Sequence, residues 1–437
     1  MYSAITIANA THKIQDGHIE MDNQDNVQQT PTVDLGPLSW VIAPLQEVFE
    51  RVRNSLHQFG NEVAAASAGS LSTLETTDLL LAAHSLHDAA GVLNLVERPA
   101  AARMVSLMEQ CVQHFVSDPA LCTQQAVSVL DQNINSISDY LDSMLKGHPA
   151  KAAGLFPAYR DLAQLAGLAR IHPADLWLHP WRWLEIDSAL LPVAPEAEQK
   201  ESDASFFENV LKVLKSNGTQ GISTLTGLVQ HAWQQSSGQK ERVFWQLATG
   251  YLQLLDANTL HFDNYNKRLL SGIAVQYDQL TRGKGQASEQ LAQDMLFFIA
   301  LGYNKQPDNA AAPVANAIAQ TYALQNTPIC EYEQLLYGKV APALREKMRK
   351  EIANFKELWS DISSGDIRKI TILINEAEHL AESISTLWPE AQDFTNALLG
   401  AVRKVQMFAR IPSEDMAIEV AMSVLFLESS LEDLQDS

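Results

Sequence analysis

The stretch His84-Ser85-Leu86-His87-Asp88-Ala89-Ala90-Gly91 puts two imidazoles and a carboxylate within two turns of an apolar helical segment. An imidazole is a nucleophile toward phosphoryl groups, so the direction in which it points decides what it can reach. At about 100° per residue, with Leu86 facing the core, His84 points about 160° away from it. Asp88, one helical turn further on, shares that outward face. A phosphoryl group on His84 would therefore meet a charge of its own sign, at about 1 to 4 kcal/mol for effective dielectrics between water and a protein surface. The simplest alternative is an exposed histidine with no chemical role, which is what most polar side chains on a solvated helix face are.

Other candidate groups carry less. Gly283-Lys284-Gly285 follows no strand pattern, and no Gly-x-x-x-x-Gly-Lys-Ser/Thr loop occurs, so nucleotide phosphates have no cradle. His172, Asp175 and His179 have metal-ligand chemistry, but Pro173 and Pro180 interrupt the helical spacing that organises such sets, and no metal is expected. Glu331 and Glu333, and the cluster Glu376, Glu378 and Glu382, read as solvated faces. Cys111, Cys122 and Cys330 are an odd number without ligand spacing. No cofactor site and no confident catalytic residue emerges; His84 is the candidate phospho-acceptor.

The elements that must position these groups read as helices throughout. Val41, Leu45, Val48, Val52, Leu56, Phe59 and Val63 recur at steps of three and four. A second stripe, Leu79, Ala83, Leu86, Ala90 and Leu93, follows Ser72-Thr73-Leu74-Glu75, which reads as a capping box. Met104, Leu107, Met108, Cys111 and Phe115 make a third, ending at Asp118-Pro119, and Val127 to Leu145 a fourth, ending before Gly147. Four amphipathic helices with short connections predict an up-down bundle over 35–147. Residues 148–204 are rich in Pro and Trp and are expected to form a connector, with Trp177, Trp181 and Trp183 clamping one bundle onto the next. Residues 205–340 read as a further helical domain, and 341–437 as a C-terminal bundle of four stripes, with His379 facing outward among acidic neighbours. Residues 1–34 are too polar to offset ordering by burial and read as a tail, within which Met21 resembles a natural start. No period-two alternation is sustained anywhere, so the fold class is all-α.

Composition narrows the partners. A 437-residue chain that is 46% hydrophobic and 19% charged supports two or three domains. Its net charge of -21 disfavours nucleic acid and anionic membranes and favours basic or neutral proteins. The longest strongly apolar run, Met295–Leu301, is far shorter than the roughly 20 residues of a spanning helix, so no membrane insertion is expected. With no secretory signal at the start, a cytoplasmic location is expected.

His84, Ser85, Leu86 and Ala90 resemble the histidine phosphotransfer motif His-Ser-Leu-Lys-Gly-x-Ala. In that family the lysine assists the phosphoryl group and the glycine clears room for the regulator; this sequence has His87 and Asp88 there. From Asp34 to Asp436 the chain also resembles the N-terminal region of the CheA-like hybrid histidine kinases that control type IV pilus twitching motility, the PilL/ChpA group. The stretches that carry this are DLGPLSWV at 34–41, LFPAYRDLAQLAG at 155–167, RIHPADLWLHPWRW at 170–183 and EVAMSVLFLESSLEDL at 419–434. The resemblance implies a two-component signalling role and a phosphotransfer-like fold for both terminal bundles. The parent family is a histidine protein kinase, but none of its catalytic parts is visible here. The expectation is a non-catalytic interaction region that docks a response regulator, a coupling protein or a polar scaffold. The alternatives are an active phosphotransfer protein using His84, with His87 replacing the lysine, and an unrelated helical scaffold.

Overall fold

No stretch of this sequence alternates polar and apolar residues for long, and the backbone follows suit. The computed structural model describes residues 35–66, 74–187, 206–218, 220–339, 342–388 and 391–433. Among them are fifteen α-helices and no strand, so the chain is all-α. The polar tail to Asp34, with Met21, lies outside the described residues, as do 188–204 of the expected connector and Ser72 of the expected capping box.

The first module contains α1 (Gly36–Ala65), α2 (Thr77–Leu95), α3 (Pro99–Ser117) and α4 (Gln124–Leu145). Helix α1 packs on α2 and α4, and α2 lies along α3. The α2–α3 pairing is rich in small buried residues: Ala82, Ala83, Ala89 and Ala90 of α2 and Ala100, Ala101 and Ala102 at the start of α3. Leu79, Leu86 and Leu93 supply the apolar volume between them, each worth about 2 kcal/mol of transfer free energy when fully buried. Pro99 opens α3 where its missing N–H leaves no bond unmade, and the Thr123 hydroxyl caps α4 by accepting from the Ala126 amide at 3.2 Å.

Two local expectations need correction. Glu75 does not act in a capping box: α2 begins at Thr77, so Glu75 stands before the helix, where its carboxylate accepts from the Thr77 hydroxyl at 3.1 Å. The expected connector also contains a helix, α5 (Phe156–Leu165), which packs against α3 and α4. Its Pro157 sits in the first turn, where proline is compatible with helix.

The second module holds α6 (Phe206–Lys215), α7 (Ile222–Gln235), α8 (Gln239–Asp256), α9 (Asn264–Thr281), α10 (Glu289–Lys305) and α11 (Pro313–Thr321). Helix α8 is buried almost all round from Val243 to Leu255 and packs on α7, α10 and α11. It approaches α11 at Gly250, where a Cβ would come within 2.6 Å of the Ile318 side chain. The apolar run Met295–Leu301 is wholly buried in α10. No helix among the described residues is long and apolar enough to cross a membrane. Both modules share one hydrophobic core, from Leu38 to Tyr337. Its seam is aromatic: Phe156 of α5 meets Tyr265 at 5.4 Å and Tyr332 at 5.9 Å between ring centres, while Phe298 of α10 meets Tyr332 at 6.0 Å.

After α11 the chain returns to α4. The Gly338 amide donates to Asp139 at 2.8 Å, Gln132 donates to the Gly338 carbonyl at 2.8 Å, and Ser136 donates to the Tyr337 carbonyl at 3.1 Å. Arg345 then pairs with the same Asp139 at 2.7 Å. Arg345 lies in α12 (Pro342–Ser363), which with α13 (Ile370–Leu387), α14 (Gln392–Phe408) and α15 (Glu414–Asp433) forms the C-terminal module. This module has a core of its own around Phe355, Ile362, Leu373, Leu380, Val402 and Val424.

Candidate functional site

Helix α2 presents its outward face by the same periodicity that buries its alanines. Leu81, His84, Asp88, Gly91 and Leu95 step by three and four along it, and all are exposed. His84 therefore stands in solvent in mid-helix, with Asp88 one turn on. Leu81 is 60% and Leu95 84% exposed, which makes apolar ends to a stripe whose middle is polar. Around Gly91 there is open space.

His87 is not a free substitute for lysine. Its Nδ1 lies 3.2 Å from Oε2 of Glu109 on α3, so a second carboxylate is held beside the position that the phosphotransfer motif reserves for a cation. An anion arriving at His84 would meet Asp88 on its own face and the His87–Glu109 pair on the adjoining one. The sequence offered Asp88 directly. Glu109, 22 residues away, needed the α2–α3 packing to be seen, whereas Leu81 could have been found by extending the outward spacing one turn back from His84.

The other candidate set gathers at the junction of the modules, where it forms a structural network. The Arg170 guanidinium pairs with Asp175, and through Nη2 with Asp294 of α10 at 2.6 Å. With its carboxamide oxygen turned toward the guanidinium, Gln290 accepts from Arg170 Nε at 3.1 Å and Nη1 at 3.0 Å. Pro173–Asp175 form a tight turn whose N-terminal end is capped reciprocally: His172 Nδ1 accepts from the Ala174 amide at 3.2 Å, and Asp175 accepts from the His172 amide at 2.9 Å. Because Nδ1 already accepts a proton, its 3.4 Å approach to Asp294 is a contact between a neutral ring and a carboxylate, not an ion pair. Burial, with Arg170 and Arg268 nearby, pushes His172 down to about 3. Burial pushes Asp294 up to about 6 against the pull of Arg170, since one guanidinium is shared by two carboxylates.

His179 does not join His172. Its ring stacks on Trp177 at 5.1 Å, and Trp177 in turn meets Phe297 of α10 edge-on at 5.7 Å. Trp181 stacks on Tyr322 at 6.0 Å, and the Tyr322 hydroxyl donates to the Arg182 carbonyl at 3.0 Å. The tryptophans thus fasten residues 170–186 to the second module. Beside them lies a cleft of about 280 Å³ lined by Arg103, Arg170, Trp177, Trp181 and Asp294 among others. Among the described residues no three His, Cys, Asp or Glu side chains converge as metal ligands. Burial pushes the Cys111 thiol up to about 12 and those of Cys122 and Cys330 to about 11, so none is a thiolate nucleophile at neutral pH.

His379 on α13 is exposed, as expected, and Glu378 beside it pairs with Arg403 at 3.5 Å.

The chain is all-α, and its first two modules are joined by a partly buried charge network and a tryptophan-rich strap. Residues 192–334 match the family model described as the FimL scaffold protein second domain. That match spans about a third of the chain and covers the second module, leaving α2 and the C-terminal module outside it. Neither the curated proteins nor the solved structures gave a match.

Proposed function

We propose that this chain is a non-catalytic docking scaffold of a type IV pilus chemosensory pathway. In this reading α1–α4 are a phosphotransfer-like four-helix bundle, and the α2 face centred on His84 receives a receiver-type response regulator without accepting its phosphate. The scaffold part rests on the likeness of 192–334 to a scaffold domain. The pathway rests on the resemblance of the chain to the front end of the PilL/ChpA-type kinases. By the same resemblance the four-helix C-terminal module is a second phosphotransfer-like bundle, in which Glu376, Glu378 and Glu382 near His379 disfavour a phosphoryl group.

One observation carries the docking reading: the outward stripe of α2 keeps an exposed imidazole between exposed leucines while carboxylates occupy the ground around it. Apolar residues around an outward histidine are what a regulator's surface packs on, and contact of that kind needs no phosphoryl chemistry. Asp88 and Glu109 oppose the transferred anion, not the protein that brings it.

Titration of the whole chain with a single receiver domain from such a pathway, followed by calorimetry, tests this. Leu81→Glu is expected to weaken binding by about tenfold or more, because it places a charge in the apolar contact. His84→Gln, which keeps size and polarity, is expected to leave affinity within about twofold. Binding that is indifferent to Leu81→Glu would remove α2 as the docking face.

A further inference from the structure

Helix α15 is amphipathic twice over. Val420, Val424, Leu427 and Leu431 face the C-terminal core and are buried. At about 100° per residue, Ile418, Met422 and Leu425 fall within about 60° of one another on the side away from that core, with Phe426 about 40° further round. These four are 52%, 65%, 52% and 70% exposed. A helix that needed only to cover the core would carry polar residues on its outer side. Apolar side chains gathered in this way mark an interaction surface, whereas scattered single ones would not.

The charges beside the stripe select its occupant. Over its whole length α15 has no Lys, Arg or His. Glu414 and Glu428 lie along one margin of the stripe and Glu419 along the other, while Asp415 stands at its N-terminal end, in line with Met422 and Phe426. Glu428 is partly neutralised by Lys356 at 2.7 Å, while Glu414, Asp415 and Glu419 are exposed. A second copy of this chain would bring a like-charged stripe and a net charge of -21, and an anionic membrane would be repelled in the same way. We propose that the outer face of α15 docks an amphipathic helix of a partner protein whose apolar ridge is flanked by Lys or Arg. Apolar contact with Ile418, Met422, Leu425 and Phe426 supplies the affinity, and the acidic margins set the register and exclude acidic helices. This surface belongs to a different core from α2, so it stands or falls independently of receiver docking at His84.

The test uses the whole chain and a labelled synthetic peptide of about 18 residues, with Leu or Ile at i, i+3, i+4 and i+7 and Lys beside that ridge, read by fluorescence anisotropy. A control peptide carries Glu in place of every Lys. Saturable binding of the basic peptide is expected, with the acidic control weaker by about tenfold or more. The double variant Met422→Ser and Phe426→Ser should weaken binding by a similar factor, and Asp415→Lys with Glu419→Lys should abolish the preference for the basic peptide. All four positions are exposed, so circular dichroism should be unchanged. Absence of saturable binding, equal binding of the two peptides, or indifference to the Met422/Phe426 variant would overturn the proposal. So would a dimer in sedimentation, or binding to phosphatidylglycerol vesicles, that the same variant abolishes, because the face would then belong to a second copy or to lipid.

Discussion

His84 and His172 have opposite surroundings, and each follows from its neighbours. His84 is in solvent with carboxylates around it. His172 is enclosed, with Nδ1 committed to a backbone amide and Arg170 and Arg268 nearby, and its proton affinity falls to about 3 from the ordinary 6.5. Below pH 6.5 the unfolded chain takes up a proton at this position and the folded chain does not, so His172 lowers stability by about 1.4 kcal/mol for each pH unit of acidification. Asp294 acts in the opposite sense. Raised to about 6 from 3.8, it takes up its proton in the folded chain first, and stability rises as pH falls between those values. The two trends largely cancel below pH 6. Asp294→Asn keeps an oxygen for Arg170 and removes one of them, so unfolding free energies measured in urea should fall with acidification below pH 6 more steeply than in the unaltered chain, by about 1.4 kcal/mol per pH unit. Equal slopes would contradict this account of the junction.

Among the elements, α4 takes part in two modules. Its inner face completes the first, and Gln132, Ser136 and Asp139 hold the segment that leads into α12. Gly338 makes that contact possible. Its φ of +77° is in the left-handed region, and an added Cβ would lie 2.5 Å from the Ser136 hydroxyl oxygen and 2.7 Å from the Ser136 backbone nitrogen. Gly338→Ala is expected to destabilise by about 2 to 4 kcal/mol in urea unfolding, since it combines backbone strain with a clash against backbone. A loss below about 0.5 kcal/mol, the size of an ordinary surface change, would mean that this clasp is not tight. Most of the elements could be read from spacing alone, because steps of three and four report which side of a helix is buried without reference to anything distant. The stripes from Met104 to Phe115, Leu373 to Ile384 and Val420 to Leu431 are buried as their spacing implies, and that from Leu45 to Phe59 is too, except for the half-buried Val48. What spacing could not supply was contact between remote residues. Arg170 with Asp294 and Asp139 with Arg345 are separated by 124 and 206 positions, and nothing local to either partner announces the other. The start of α2 was misjudged for a related reason: Ser72-x-x-Glu75 has the residue types of a cap, but the helix begins two residues after Glu75.

Across the whole molecule, two cores divide the described residues, and each presents one unusual helix face: α2 around His84 from the larger core and the outer side of α15 from the smaller. A net charge of -21 keeps such a chain from associating indiscriminately and leaves specific apolar stripes to determine its contacts. The scaffold-type match over 192–334 lies between these two surfaces in sequence, so the second module joins them along the chain. Of the candidate site, His84, His87 and Asp88 were legible as residues; that Glu109 closes on His87 was not, because it depends on how α2 lies on α3. On the proposed reading the α2 face binds a regulator and carries no phosphate. The decisive experiment mixes the whole chain with a phosphorylated receiver domain and examines residue 84 by mass spectrometry under conditions that preserve phosphohistidine. The receiver should bind and His84 should stay unmodified. A phosphoryl group on His84, absent from His84→Gln, would contradict that reading.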